Sequence, residues 1–422
     1  MPCSTNSKLT VRPGSIAGLP FVNLALPVMD EQDLLPRLLA CLSAQSYRRF
    51  RLFACVNQPE SWHSDPLKKE ACRHNAESLD LLRNWHEVET TVIDCSNRGA
   101  GWTGKKHGVG YARLTVMEEI NKVAQPGELI ISLDADTVFS KDFLLSVALT
   151  FSRHPSAVAL AVPYHHRLVD DDTANRAILR YEIYMRHYFL NMYRIGSPYA
   201  FTALGSAMAL PVWAYRAIGG MTPKKSGEDF YFLQKLKKFG GVLLWNDETV
   251  YPESRFSDRV FFGTGPAMIK GAAGDWSSYP VYPCSLFDDI FETYRLLPDL
   301  FHVQQKTKIT DFMATVFNET DPCQPLRQNH HDCAHFTRAF HEKFDGLRIL
   351  QYLKSSVGRH DSTDEENLHD FFQRFYPAHG TELPGIDWNN LSFADSPLWD
   401  LEAIRDFLFQ KEMEARFTAT LR

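Results

Sequence analysis

The chain is 422 residues long, 44% hydrophobic and 23% charged, with a formal net charge of −6. That composition describes an ordinary globular protein with room for two domains. The acidic balance excludes a general nucleic-acid binder, which needs a basic footprint. Eight cysteines without a Cys-x-x-Cys pair suit reduced thiols rather than a disulfide framework. Residues 1–20 read as a polar leader broken by proline and glycine, with no signal-peptide core. No run of about 18 apolar residues offers a membrane span. The expectation is a cytoplasmic protein, with peripheral contact at the inner face of the membrane left open.

Residues 21–28 predict a first strand, closed by Pro27 and Met29-Asp30-Glu31. Leu34, Leu35, Leu38, Leu39 and Leu42 recur at helical spacing and predict a helix over 33–44, with Asp30 as its cap and Pro36 in its first turn. A strand over 51–56, ending at Asn57, completes a βαβ unit. Ligands gather at strand C-termini in a parallel sheet, which places Asp30, Glu31 and Asn57 on one rim. Residues 61–85 predict a helix with Leu79, Leu82 and Trp85 on one face, and 90–94 a third strand. Gly99-Ala100-Gly101-Trp102-Thr103-Gly104-Lys105-Lys106 then sets glycines, which let backbone approach a ligand, beside two lysines that suit a diphosphate. A solvated glycine-rich loop is the competing reading, because the spacing is not that of a Walker A loop.

A helix through Ala112, Val116 and Ile120 leads to Leu129-Ile130-Ile131-Ser132-Leu133, a short buried strand running into Asp134-Ala135-Asp136. Two carboxylates at a strand end offer hard oxygen ligands to Mg²⁺ or Mn²⁺, ions that also take phosphate oxygens from a substrate. An acidic turn explains the same pair.

Further strands are predicted over 158–162 and, at a sheet edge, 242–245; 176–193 reads as an aromatic helix packed on the core rather than a binding box. The small, apolar segment 203–210 fits close packing beside a cleft. Gly227-Glu228-Asp229 opens another helix, and its acids sit where the helix dipole favours them, so capping alone accounts for them. From about 285 onward the pattern is helical, with Phe336, Phe340, Phe344 and Leu347 as one stripe and Leu401, Ile404 and Leu408 as another. Cys323, His330, His331, Cys333 and His335 fit no standard zinc spacing and read as surface and core positions.

Taken in order, these features resemble family-2 glycosyltransferases of the GT-A fold over about residues 20–265. Leu26-Pro27-Val28-Met29-Asp30-Glu31 is similar to their nucleotide-binding first strand, and Gly101-Trp102-Thr103-Gly104-Lys105-Lys106 to their glycine–lysine segment. Leu133-Asp134-Ala135-Asp136 is similar to their DxD motif, and Ile218-Gly219-Gly220-Met221 with Gly227-Glu228-Asp229 to their Gly-Gly turn and ED motif. The resemblance implies an α/β, GT-A-like domain over 21–285, with a mixed, mostly parallel sheet flanked by helices, and a helical C-terminal region over 286–422.

The same resemblance implies a hexosyltransferase-type enzyme, inverting and non-processive, moving sugar from a nucleotide-diphosphate sugar to a hydroxyl acceptor with Mn²⁺ or Mg²⁺. Asp136 would ligate the ion, and Asp134 the ion or the ribose. Pro27, Asp30, Glu31, Asn57, Gly104, Lys105, Lys106, Arg255 and Arg259 would meet the donor. Asp229 would take the acceptor's proton, with Glu228 orienting. Gly205-Ser206, the Glu228-Asp229 region and the helical tail would form the acceptor pocket, for a saccharide, lipid-linked or small-molecule acceptor. Val56-Asn57-Gln58 stands where the family often has an Asp pair, which leaves UDP or GDP open. The Gln-x-x-Arg-Trp motif of processive synthases is missing from the sequence. Two alternatives stand beside this reading. One is a non-catalytic nucleotide- or carbohydrate-binding protein of the same fold; the other is a sugar-1-phosphate nucleotidylyltransferase, whose glycine-rich signature is replaced here by Met29-Asp30-Glu31-Gln32.

Overall fold

The computed structural model describes residues 18–104, 107–224, 227–257 and 263–420. Its first strand, β1 (Val22–Val28), is buried at every position, so both of its faces must be covered. β2 (Phe50–Asn57), β3 (Thr90–Cys95), β4 (Leu129–Ser132), β6 (Ala159–Ala161), β7 (Met208–Pro211) and β8 (Val242–Leu243) join it in one sheet of order β3-β2-β1-β4-β7-β6-β8. β1 runs parallel to β2 and β4, β2 to β3, and β6 to β8. β7 is antiparallel to both of its neighbours. A separate pair joins β5 (Thr137–Val138) to β9 (Tyr251–Pro252).

Side chains alternate across the sheet, as strand geometry requires. Leu24, Leu26 and Val28 pack with Leu35 and Leu38 of α1 (Leu35–Ser43). Ala25, Phe53 and Ile130 turn the other way, into the cluster that holds Val116 and Ile120. α2 (Lys69–Asn84) follows two 3₁₀ turns over Glu60–Ser64 and Pro66–Lys68, so the helix predicted from 61 starts later. Next come α3 (Val109–Val123), α4 (Phe143–Arg153), α5 (Asp172–Arg194), α6 (Val212–Ala217), α7 (Glu228–Phe239) and α8 (Thr264–Ala272). The C-terminal region is helical throughout. It comprises α9 (Cys284–Arg295), α10 (Leu297–His302), α11 (Lys308–Phe317), α12 (Gln324–Asn329), α13 (Cys333–Lys343), α14 (Gly346–Val357), α15 (Asp364–Phe375), α16 (His379–Glu382) and α17 (Leu398–Thr420).

Two local expectations change. Asp30 does not cap α1, whose first turn follows Leu34 and takes Pro36. Asp30 instead adopts a left-handed φ of 57°, donates its N–H to Asn75 Oδ1 at 2.8 Å and lies 2.6 Å from His74 Nδ1. The Phe336–Leu347 stripe is also broken. α13 ends at Lys343, and Asp345 caps α14 by accepting the Arg348 N–H, which puts Leu347 on a different helix.

α5 is buried over most of its 23 residues, because the sheet side covers one flank and α15 and α17 cover the other. Buried charges therefore need partners. Glu182 receives Arg186 at 3.1 Å and Arg405 at 3.0 Å, and Arg186 meets Glu412 at 2.7 Å. Burial alone would raise the Glu182 carboxyl's pKa, but Arg186, His166 and Arg405 hold it well below its ordinary value. Arg416 of α17 reaches the carbonyls of Ala161 and Leu244, both at 3.0 Å, and Thr202 Oγ1 at 3.3 Å. Among the described residues no helix is long and apolar enough to cross a membrane.

Candidate active site

β1 and β4 are parallel and in register from Val22↔Leu129 to Ala25↔Ser132, so β4 delivers the chain to the C-terminal edge of the sheet. Asp134 and Asp136 stand just beyond it, on either side of buried Ala135. The β5–β9 pairing follows at once, and the Glu253 N–H donates to the Asp136 carbonyl at 3.1 Å. That contact brings in Arg255, whose Nη2 lies 3.0 Å from Asp136 Oδ2 and 2.7 Å from Glu31 Oε1. Burial disfavours the Arg255 charge, yet Glu31 and Asp136 more than offset it and raise its pKa.

A second arginine, which no sequence motif indicated, joins the two acidic motifs. Arg113 of α3 is 1% exposed. Its Nη2 donates to Asp134 Oδ1 at 2.8 Å, its Nε to Glu228 Oε1 at 3.2 Å, and its Nη1 to the Gly205 carbonyl at 3.1 Å and to Ser132 Oγ. A Cβ on Gly205 would come within 2.4 Å of Arg113 Nη2 and 3.0 Å of Asp134 Oδ2. Glycine is what leaves room for this bridge.

α7 begins after Gly227, which takes a left-handed φ of 68°. Neither acid caps the helix end: Glu228 is buried against Arg113, while Asp229 faces the cavity, half-buried, and accepts the Phe230 N–H at 2.7 Å. Burial and the neighbouring Glu228 charge push the Asp229 carboxyl up to about 7, with Arg113 pulling the other way. A carboxyl poised near neutrality suits proton transfer at ordinary pH.

These groups line one cavity of about 640 Å³. At its polar end, Pro27, Glu31, Asn57, Asp134, Asp136 and Arg255 meet. Asn57 donates to the Val28 carbonyl at 2.9 Å, and its buried Oδ1 has no partner among the described residues. Asp30 and Gly104 are not on the wall: Asp30 is engaged by His74, and Gly104 lies in an exposed left-handed turn. Lys105, Lys106 and Arg259 lie outside the described residues.

At the other end stand Tyr181, Tyr184 and Tyr188, one face of α5, with Phe201, Leu204 and Tyr279. These tyrosines belong to the core cluster as expected, and they also form wall. The segment 203–206 lies beside them, and Leu347, Leu350 and Lys354 of α14 extend the wall from the C-terminal region.

The donor chemistry can be tested against a divalent cation. Six carboxylates line the cavity (Glu31, Asp134, Asp136, Glu228, Asp229, Glu253) against four cationic side chains, Arg113, Arg255, Lys270 and Lys354. This surplus of hard oxygen ligands fits Mg²⁺ or Mn²⁺. Among the described residues no three His, Cys, Asp or Glu side chains form a ligand set by themselves.

The model of Glycosyl transferase family group 2 matches residues 129–270, a segment that runs from β4 through both acidic motifs to α8. A search of curated protein sequences finds no match. Among solved structures, the chain is similar to S. aureus TarS 1-349 in complex with UDP-GlcNAc, at 13% identity over 94% of this chain and 92% of that one, with a TM-score of 0.40. It is also similar to the mannosyltransferase PcManGT from Pyrobaculum calidifontis in complex with GDP-Man and Mn²⁺, at 12% identity over 96% and 88% of the two chains, with a TM-score of 0.38. The family match over residues 129–270 supports a glycosyltransferase of the family-2 type, carried by the segment that holds both acidic motifs.

Proposed function

We propose that this cavity transfers a glycosyl group from a nucleotide-diphosphate sugar to an acceptor hydroxyl by a single inverting displacement. The observation that carries the reading is that Asp134, Asp136, Glu228 and Asp229 line one cavity, with Asp229 pushed up to about 7. Asp229 takes the proton from the acceptor O–H. The freed oxygen bonds the anomeric carbon, and the bond from that carbon to phosphate oxygen breaks, its electron pair leaving on the nucleoside diphosphate. Glu228, paired with Arg113, sets a carboxylate beside Asp229 that raises its basicity.

Asp134 and Asp136 would hold Mn²⁺ or Mg²⁺. Such an ion, when bound, stabilises the charge building on the leaving diphosphate as a Lewis acid. Pro27, Glu31, Asn57 and Arg255 form the donor end. The unpartnered Asn57 Oδ1 supports a base with an N–H to offer, which uracil and guanine both have. The 21–285 part carries the chemistry, and 286–422 completes the cavity through α14.

A thermal-shift screen of UDP- and GDP-sugars, run with Mn²⁺ and again with chelator, tests this reading. One donor should raise Tm in a metal-dependent way. No shift with any nucleotide sugar would overturn it.

A further inference from the structure

The two ends of the cavity differ in chemistry, and a nucleotide-diphosphate sugar accounts for only one of them. Beyond Asp229 the wall turns aromatic and aliphatic. Tyr181 feels the Asp229 charge directly and stands edge-on to Tyr279, with ring centroids 5.1 Å apart. Tyr279 Oη in turn accepts the Gly263 N–H at 3.2 Å, at the head of α8. On the opposite side, the Leu347 N–H donates to Gln234 Oε1 at 3.0 Å, which fixes the head of α14 beside α7.

Both helices then run outward. Leu347, Leu350 and Lys354 share one face of α14 and all line the cavity; Thr264 and Lys270 of α8 line it too. At 1.5 Å per residue, Lys354 lies about 10 Å farther along the axis than Leu347. Lys270 and Lys354 are exposed, and neither enters an ion pair among the described residues. A cavity whose wall carries apolar side chains of α14 and two exposed lysines besides the candidate base has a definite complement.

We infer that the acceptor is an apolar molecule with a hydroxyl at one end and an anionic group at the other, the hydroxyl at Asp229 and the anion at the lysines of the wall, Lys270 and Lys354. The inference rests on the transferase reading of the same cavity. A free saccharide would leave the Leu347–Leu350 surface against a hydrated ligand and bring no anion to Lys354, or to Lys270 beyond its neighbour Asp275.

Three probe acceptors separate the terms: 10-hydroxydecanoate, its neutral analogue 1,10-decanediol, and glucose. Each is offered to the full chain with a panel of UDP- and GDP-sugars and Mn²⁺, and product is followed by mass spectrometry. Donor binding is measured separately by thermal shift. The expected order in kcat/KM is hydroxydecanoate over diol by about fivefold, for two solvent-exposed charge contacts, and diol over glucose by at least about tenfold. The double variant Lys270→Gln/Lys354→Gln should erase the first difference and keep the second. Leu350→Asp should lower kcat/KM for both apolar acceptors. Glucose used as well as either apolar acceptor would overturn the inference, and so would a double variant that still prefers the acid. If nucleotide sugars bind but no apolar acceptor is used, this inference falls and the donor reading stands. If no nucleotide sugar binds, both fall.

Discussion

Arg113 Nε lies 3.2 Å from Glu228 Oε1 across 115 positions of sequence, and its other arm holds Asp134 at 2.8 Å. One guanidinium therefore ties the candidate metal motif to the candidate base motif. Replacing Arg113 with Gln leaves buried Glu228, and half-buried Asp134 beside it, without their cation, a class of change that costs about 3–5 kcal/mol for the buried group. The midpoint of urea unfolding should fall accordingly. Because Arg113 lowers the Asp229 pKa, the variant's pH–rate profile should also move toward alkaline pH. A purely structural role would destabilise without that move.

Asp229 has a folded-state pKa of about 7 against an ordinary 3.8. For a carboxyl raised on folding, the folded form is favoured below the unfolded value and penalised as pH rises through the folded one. Asp229→Asn should therefore stabilise the chain by about 2–4 kcal/mol at pH 8, since each tenfold change in proton affinity is worth roughly 1.4 kcal/mol, and by nothing near pH 3. Transfer should be lost while donor binding persists. In the parent enzyme, log kcat/KM should climb with unit slope and level off near pH 7.

Arg255 holds Asp136 and Glu31 at 3.0 and 2.7 Å, so a cation arriving at Asp136 competes with it. Arg255→Ala should tighten Mn²⁺ binding in the absence of donor, read by isothermal titration, and weaken binding of the complete metal–nucleotide-sugar pair. Equal Mn²⁺ affinity in both proteins would show that the arginine does not guard the carboxylate.

The α5–α17 network makes the strongest stability forecast. Glu412→Gln leaves Arg186 and Arg416, both fully buried, short of a counter-charge. A loss of about 3–5 kcal/mol is expected, measured as a lowered denaturant midpoint. A loss below about 1 kcal/mol would mean that water enters the network.

What is legible in the sequence is local. β1 to β4, the helix after each of the first three strands, and the turn at Gly219-Gly220 follow from apolar runs, 3.6-residue spacing and glycine. The acidic pair at the end of β4 is visible for the same reason. Arg113 is not, because a lone arginine in an amphipathic helix carries no periodic signal, and its partners are 21 and 115 positions away. Local spacing misplaces Asp30 because the left-handed backbone that hands it to His74 depends on α2, 44 residues later. Tyr181 and Tyr184 read as core, which they are; only the placement of α14 decides that the same surface also faces a ligand space. The stripe through Leu347 fails at Asp345, whose capping of α14 restarts the helix phase.

Arg416 spans 214 positions to touch Thr202, a cavity-lining residue, and holds the carbonyls of Ala161 and Leu244 with the same side chain. The wall at Thr202 is thus braced from behind, by a helix that contributes no described residue to the cavity lining. Substitutions on α17 can retune which molecules fit while the carboxylates at the end of β4 keep their positions, so selectivity and chemistry are free to diverge at different rates.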